Sequence, residues 1–143
     1  MPKFIIVFGR NELLSMLEAE SYFNAGKTEN KIIDFSKNSA LIEAEGSFKA
    51  EKAIKDLGGT VKIAEVIAEA ENIKELLEKI SELDVAGSFG RKFYYSINDY
   101  GKNPNAELTA EIAEALKQEF KSLKLKAMLK WPKEIEGKRK KTI

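Results

Sequence analysis

Phe4-Ile5-Ile6-Val7-Phe8-Gly9 sets five consecutive apolar residues against a closing glycine. An apolar run this short, without alternation, fits a strand buried on both faces, the middle of a sheet. Asn11 offers a helix N-cap, and Glu12 suits a first turn, where a carboxylate meets the positive end of the helix dipole. Leu13, Leu14, Leu17 and Ser21 line one side of that predicted helix, which stops near Gly26. Lys31-Ile32-Ile33-Asp34-Phe35 reads as a second strand. Lys37-Asn38-Ser39 supplies turn chemistry, and Ala40-Leu41-Ile42-Glu43-Ala44 returns as a third strand. Gly46-Ser47 opens a second helix, with Ala50, Ala53, Ile54 and Leu57 spaced three and four apart. Gly58-Gly59 ends it, and residues 60–68, with Val61, Ile63 and Ile67, give a fourth strand.

The order β-α-β-β-α-β predicts an α+β chain whose residues 1–70 form a ferredoxin-like domain, an antiparallel sheet with both helices on one face. That fold hosts many functions and names none. Residues 71–143 are expected to form a second domain. Asn72 with Glu75 makes an approximate capping box ahead of the stripe Ile73, Leu76, Leu77, Ile80 and Leu83. Residues 84–90 read as a polar connector. Phe93-Tyr94-Tyr95-Ser96-Ile97 suits a strand. A turn cluster from Asn98 leads through Pro104, placed in a first helical turn, to a helix over residues 105–120 with Leu108, Ile112, Leu116 and Phe120 in line. The period then changes to two. Leu125, Ala127, Leu129 and Trp131 share one side, read as core; Lys124, Lys126, Met128 and Lys130 share the other, facing water.

Composition narrows the chemistry. The 143 residues contain no Cys and no His, which excludes disulfides, thiolate and imidazole metal ligands and the commonest general base. No apolar run approaches the ~20 residues that span a bilayer, and no signal peptide is evident, so a cytoplasmic location without membrane contact is expected. The net charge of +1 hides an asymmetry. Residues 1–87 carry 11 basic and 16 acidic side chains, residues 88–143 carry 13 and 7. A basic half is a hint of nucleic acid. A membrane surface fits less well, because the helix over 105–120 carries Glu107, Glu111, Glu114 and Glu119 against Lys117.

Three stretches resemble one family. Phe8-Gly9-Arg10-Asn11-Glu12-Leu13-Leu14-Ser15-Met16-Leu17-Glu18 resembles an opening strand followed by G-x-N and L-S-x-x-E. Leu57-Gly58-Gly59-Thr60-Val61-Lys62-Ile63 resembles an L-G-G-T-hydrophobic-K junction. Phe93-Tyr94-Tyr95-Ser96-Ile97 with Tyr100-Gly101 resembles F-x-x-S-hydrophobic…Y-G ahead of a helix and a basic strand. In that order they resemble the N-terminal region of the archaeal-type tRNA (guanine-N2-)methyltransferases, a ferredoxin-like domain followed by a tRNA-binding THUMP domain. The resemblance implies a THUMP-like second domain, incomplete within residues 71–143, because a further strand would follow Lys141. It also implies a catalytic domain, in cis or in trans, that holds S-adenosylmethionine. These 143 residues have neither its Gly-rich turn nor its Asp/Asn-Pro-Pro-aromatic motif, since Asn103-Pro104-Asn105-Ala106 lacks the second proline and the aromatic. No cofactor, metal or catalytic residue is therefore assigned here.

The implied role is binding. Cations neutralise phosphates and release counterions, which makes Arg91, Lys92, Lys102, Lys124, Lys126, Lys130, Lys133, Lys138, Arg139, Lys140 and Lys141 the candidate tRNA contacts. Tyr95 and Tyr100 are the candidates for base stacking. Any one of these lysines alone reads better as a solvated surface residue, and one of the two tyrosines better as core; the set as a whole favours RNA. Gly58-Gly59 precedes a strand, so it is a helix stop and not a phosphate loop. Two alternatives stay open: a protein-interaction or dimerisation module without nucleic acid, and a THUMP module of thiouridine or pseudouridine synthesis. The oligomeric state is open as well.

Overall fold

The computed structural model describes residues 1–36 and 38–131. It is a mixed α+β chain with the element order β1 (Lys3–Phe8), α1 (Glu12–Ala25), β2 (Asn30–Phe35), β3 (Ser39–Ala44), α2 (Ala50–Asp56), β4 (Thr60–Glu65), α3 (Ile73–Glu82), α4 (Val85–Phe89), β5 (Lys92–Tyr95), α5 (Ala106–Ser122) and β6 (Lys126–Leu129). The chain divides into two compact units, residues 1–67 with 100–102, and residues 68–99 with 103–143.

In the first unit four antiparallel strands run in the order β2-β3-β1-β4. The apolar run of β1 is central, as its pattern requires. Phe4, Ile6 and Phe8 point into a core shared with Ala40, Ile42 and Ala44 of β3, Phe23 of α1 and Ala53 of α2. Phe48 closes that core edge-on to Phe4, with ring centroids 4.8 Å apart.

The face that α1 buries differs from expectation. Ser15, Ala19 and Phe23 are buried, whereas Leu13 is 70% exposed and Leu14 and Leu17 are also exposed. The cause is close approach at the end of β1. The Asn11 side chain accepts from Leu14 N–H, Ser15 Oγ donates to the Asn11 carbonyl, and Glu18 accepts from the N–H groups of Gly58 (3.1 Å) and Gly59 (2.8 Å). Gly59 in turn accepts from Gly9 N–H at 2.8 Å. A methyl at Gly59 would stand 2.5 Å from Ser15 Oγ. Only a small residue fits at position 15, where α1 comes closest to Gly59, and with that face turned inward the leucines turn outward. The first two motif stretches thus meet in space and lock a helix to a strand.

Other boundaries shift for local reasons. Gly46 and Ser47 form a turn, and α2 begins after Lys49, which makes no side-chain cap. β4 stops at Glu65, short of Ile67. Residues 84–90 are not a plain connector: Asp84 accepts from Gly87 N–H and caps α4. Pro104 precedes the N-cap Asn105 instead of sitting in the first turn. Asn72 caps α3 as predicted, but Glu75 reaches the N–H of Glu71, not that of Asn72, so the capping box is displaced by one residue.

The second unit pairs β5 with β6 in parallel, with α5 as the long crossover that a parallel pair needs. Its core gathers Leu116 and Phe120 of α5, Leu125, Phe93 and Tyr95, with Leu77 and Ile80 of α3. Phe120 meets Tyr95 at 5.0 Å and Phe93 at 5.4 Å, both edge-to-face, the geometry that aromatic quadrupoles prefer. Trp131, read as core, is instead 49% exposed, because the paired strand ends at Leu129 and no longer holds the alternation.

Candidate nucleic-acid interface

Parallel pairing puts Lys92 opposite Lys126, Phe93 opposite Ala127, Tyr94 opposite Met128 and Tyr95 opposite Leu129. Phe93, Tyr95, Ala127 and Leu125 turn inward onto α5. The outward face therefore carries Lys92 and Lys126 in one row and Tyr94 and Met128 in the next. Lys130 stands beyond them, its N–H bonded to the Tyr95 carbonyl at 2.8 Å. All five side chains are exposed, Tyr94 by 57% and Met128 by 52%. Lys130 Nζ lies 4.0 Å from the centroid of the Tyr94 ring.

Two electrostatic features mark this face. Residues 91–97 and 121–131 contain no carboxylate. Among the described residues, none lies within salt-bridge distance of Lys92, Lys126 or Lys130. Lys92 and Lys126 face each other across strands about 4.8 Å apart, and like charges directly opposite destabilise a sheet pair. Among the described residues, no carboxylate stands as a counter-charge to that pair.

Lys124 lies beside the face, not within the strand. It adopts φ 59°, in the left-handed region. Leu125 N–H bonds the Phe120 carbonyl at 2.9 Å and Lys124 N–H bonds that of Lys121 at 3.0 Å. This is a Schellman closure of α5, with lysine where glycine is favoured. Arg91 is exposed and anchors the same turn by its carbonyl, which accepts from Lys126 N–H at 2.7 Å.

The remaining candidates fall elsewhere. Tyr100 and Lys102 belong to the first unit. The Tyr100 carbonyl accepts from Ser36 and Ser39, and its hydroxyl accepts from Lys62 Nζ at 3.4 Å. Since Ser39 and Lys62 both pair with Val7, the tyrosine lies across that buried valine. Lys102 Nζ is 3.0 Å from Asp34 Oδ1. The Asp34 carboxyl is held below the usual aspartate range by its bond from Lys102 and then by the N–H of Phe35. Tyr95 is packed against Phe120, and burial pushes its hydroxyl up from the ordinary tyrosine value. Lys133, Lys138, Arg139, Lys140 and Lys141 lie outside the described residues. Tyr94 was not singled out by the sequence reading. Its signal was the strand parity that separates it from Phe93 and Tyr95.

Among the described residues there is no cluster of acidic side chains suited to a metal ion, and no helix is long and apolar enough to cross a membrane. Compared with known proteins, the chain matches no family model and no curated protein.

Proposed function

We propose that this chain binds tRNA and positions it for a guanine-N2 methyltransferase domain that holds S-adenosylmethionine, in cis or in trans. In this reading the first unit is a ferredoxin-like domain, in keeping with its strand order β2-β3-β1-β4, and the second is the THUMP-like module. The observation that carries the reading is the outward face of β5 and β6, where Lys92, Lys126 and Lys130 stand together with no counter-charge among the described residues. Ammonium groups so arranged fit a phosphodiester backbone. The three motif stretches supply the particular RNA and the particular chemistry.

The test is charge reversal. Lys92→Glu, Lys126→Glu and Lys130→Glu together should abolish tRNA retention while the far-ultraviolet circular dichroism stays that of the parent, because all three side chains are exposed. In partial variants the slope of log affinity against log salt should fall by about 0.7–0.9 per phosphate contact removed. Undiminished retention by the triple variant would overturn the assignment.

A second reading, a dimerisation module, rests on β2. It is an edge strand with exposed Ile32, Ile33 and Phe35. Its irregular register between Ile32 and Asp34 works against edge-to-edge pairing. A monomeric mass in solution at high protein concentration would dispose of it.

A further inference from the structure

The outward face of β5 and β6 has a layered composition that a uniformly phosphate-binding surface does not need. A row of two cations, Lys92 and Lys126, is followed by a row of two apolar side chains, Tyr94 and Met128, and then by Lys130 leaning over the Tyr94 ring. Consecutive rows are about 6.6 Å apart along the strands. Tyr94 contributes nothing to the core of its unit, which uses Phe93 and Tyr95 instead. More than half of it remains exposed with Lys130 in place. Exposed Tyr94 and Met128 side by side lose the burial that would favour such residues inside.

We infer that Tyr94 is a nucleobase-stacking residue, with Met128 as the floor beside it, and that this face takes an unpaired nucleotide instead of a duplex. The inference rests on the RNA-binding reading and deepens it. In an A-form helix the bases are stacked on one another and present edges and 2′-hydroxyls, so their faces are closed to a side chain. An unpaired base offers a π-face. The Tyr94 ring accepts it whatever the sequence. The Lys92 and Lys126 ammonium groups then bridge a phosphate on one side of that base, which turns their mutual repulsion into a shared attraction. Lys130 neutralises backbone on the other side, and its position over the ring already shows that its stem reaches that far.

The experiment uses the whole chain with two probes of equal length, a single-stranded RNA and a blunt RNA duplex, titrated at one salt concentration. Tyr94→Ala should weaken single-strand binding by about fivefold to a hundredfold, the range for losing one base–aromatic stack, and change duplex binding less than twofold. Tyr94→Phe keeps the ring and should match the parent on both probes. Equal losses on the two probes, or no loss on either, overturn the inference. If Tyr94→Ala is silent while the triple lysine variant loses RNA, stacking fails and the electrostatic reading stands. If the parent chain binds neither probe, both fall.

Discussion

Replacing Lys124 by glycine should stabilise the protein and, on the proposed RNA-binding reading with Lys124 beside that face, weaken RNA retention; replacing Lys27 by glycine should stabilise it alone. The two lysines are conformational twins. Each follows a helix with a positive backbone angle, φ 59° at Lys124 and φ 53° at Lys27. Each sits in the same closure: Lys27 N–H bonds Asn24 and Thr28 N–H bonds Phe23, as Lys124 N–H bonds Lys121 and Leu125 N–H bonds Phe120. A side chain in the left-handed region costs roughly 1–2 kcal/mol. Glycine removes that cost but gains unfolded-state freedom of roughly 0.5–1 kcal/mol. The difference leaves a net gain of roughly 0.5–1 kcal/mol per site. For units of this size that is a rise of about 2–8 °C in midpoint. Thermal unfolding of both variants reads the first half of the prediction. Filter retention of tRNA across a salt series reads the second, with the slope falling by about 0.7–0.9 for Lys124→Gly and unchanged for Lys27→Gly. A lower midpoint in either variant would refute the backbone argument. Equal slopes for Lys124→Gly and the parent would remove Lys124 from the interface.

Three further outcomes are expected. Gly59→Ala sets a methyl 2.5 Å from Ser15 Oγ and 3.1 Å from its Cβ, and should cost about 1–3 kcal/mol in urea unfolding. Adding Ser15→Ala removes the nearest atom and should restore part of the loss, whereas a Gly59→Ala chain as stable as the parent would contradict the close-approach account. Glu18→Ala deprives the N–H groups of Gly58 and Gly59 of their acceptor and should cost about 1–3 kcal/mol, read as a lower urea midpoint; an unmoved midpoint would show the clamp to be idle. The Asp34 carboxyl has a depressed folded value, so its small stabilising contribution is present above the ordinary aspartate value and lost as acid takes the pH down through the depressed one. Lys102→Gln should raise that value part of the way, because the N–H of Phe35 still donates to the carboxyl; a carboxyl-carbon NMR titration indifferent to Lys102 would rule the pairing out.

Much of the frame was legible because it rests on rules that act within a few residues. Phe4 to Phe8 announced a strand inside the sheet, and it is one of the two inner strands. Asn11 and Asn72 each accept from the N–H three residues on, as capping asparagines do, and Asn105, read as already helical, does the same. The failures have a common physical origin in side chains chosen for fit over hydrophobicity. Leu13, Leu14 and Leu17 outweigh Ser15 and Ala19 on any apolar count, yet the approach of α1 to Gly59 admits only a small residue at position 15, and Ala19 and Phe23 one and two turns on are buried with it. The spacing Ser15, Ala19, Phe23 at every fourth residue was the available signal. The Schellman closure at Lys124 was hidden because lysine stands where glycine would have marked it. Phe93 and Tyr95 share a parity that places both inside, so the tyrosine that β5 turns to solvent is Tyr94.

The charges of the second unit carry the argument a step further. The inner face of β5 and β6 packs on α5, so their outer face points away from that helix. The exposed residues of α5 include Glu107, Glu111 and Glu114. The unit therefore presents lysines as the only charges on the outer sheet face, whereas α5 exposes Lys117 and Lys121 together with those glutamates, across a layer of side chains about 10 Å thick, which exceeds the screening length of roughly 8 Å at physiological salt. A polyanion near the sheet face is attracted, with little cancellation from the mixed charges of the helix. Spread evenly, the same charges would give a weakly interacting surface. Held apart by the sheet and its helix, they favour one docking orientation before any specific contact forms. On the proposed reading, that orientation is what such a module would impose for an active site elsewhere to reach a chosen base, and it follows from the parity of two four-residue strands.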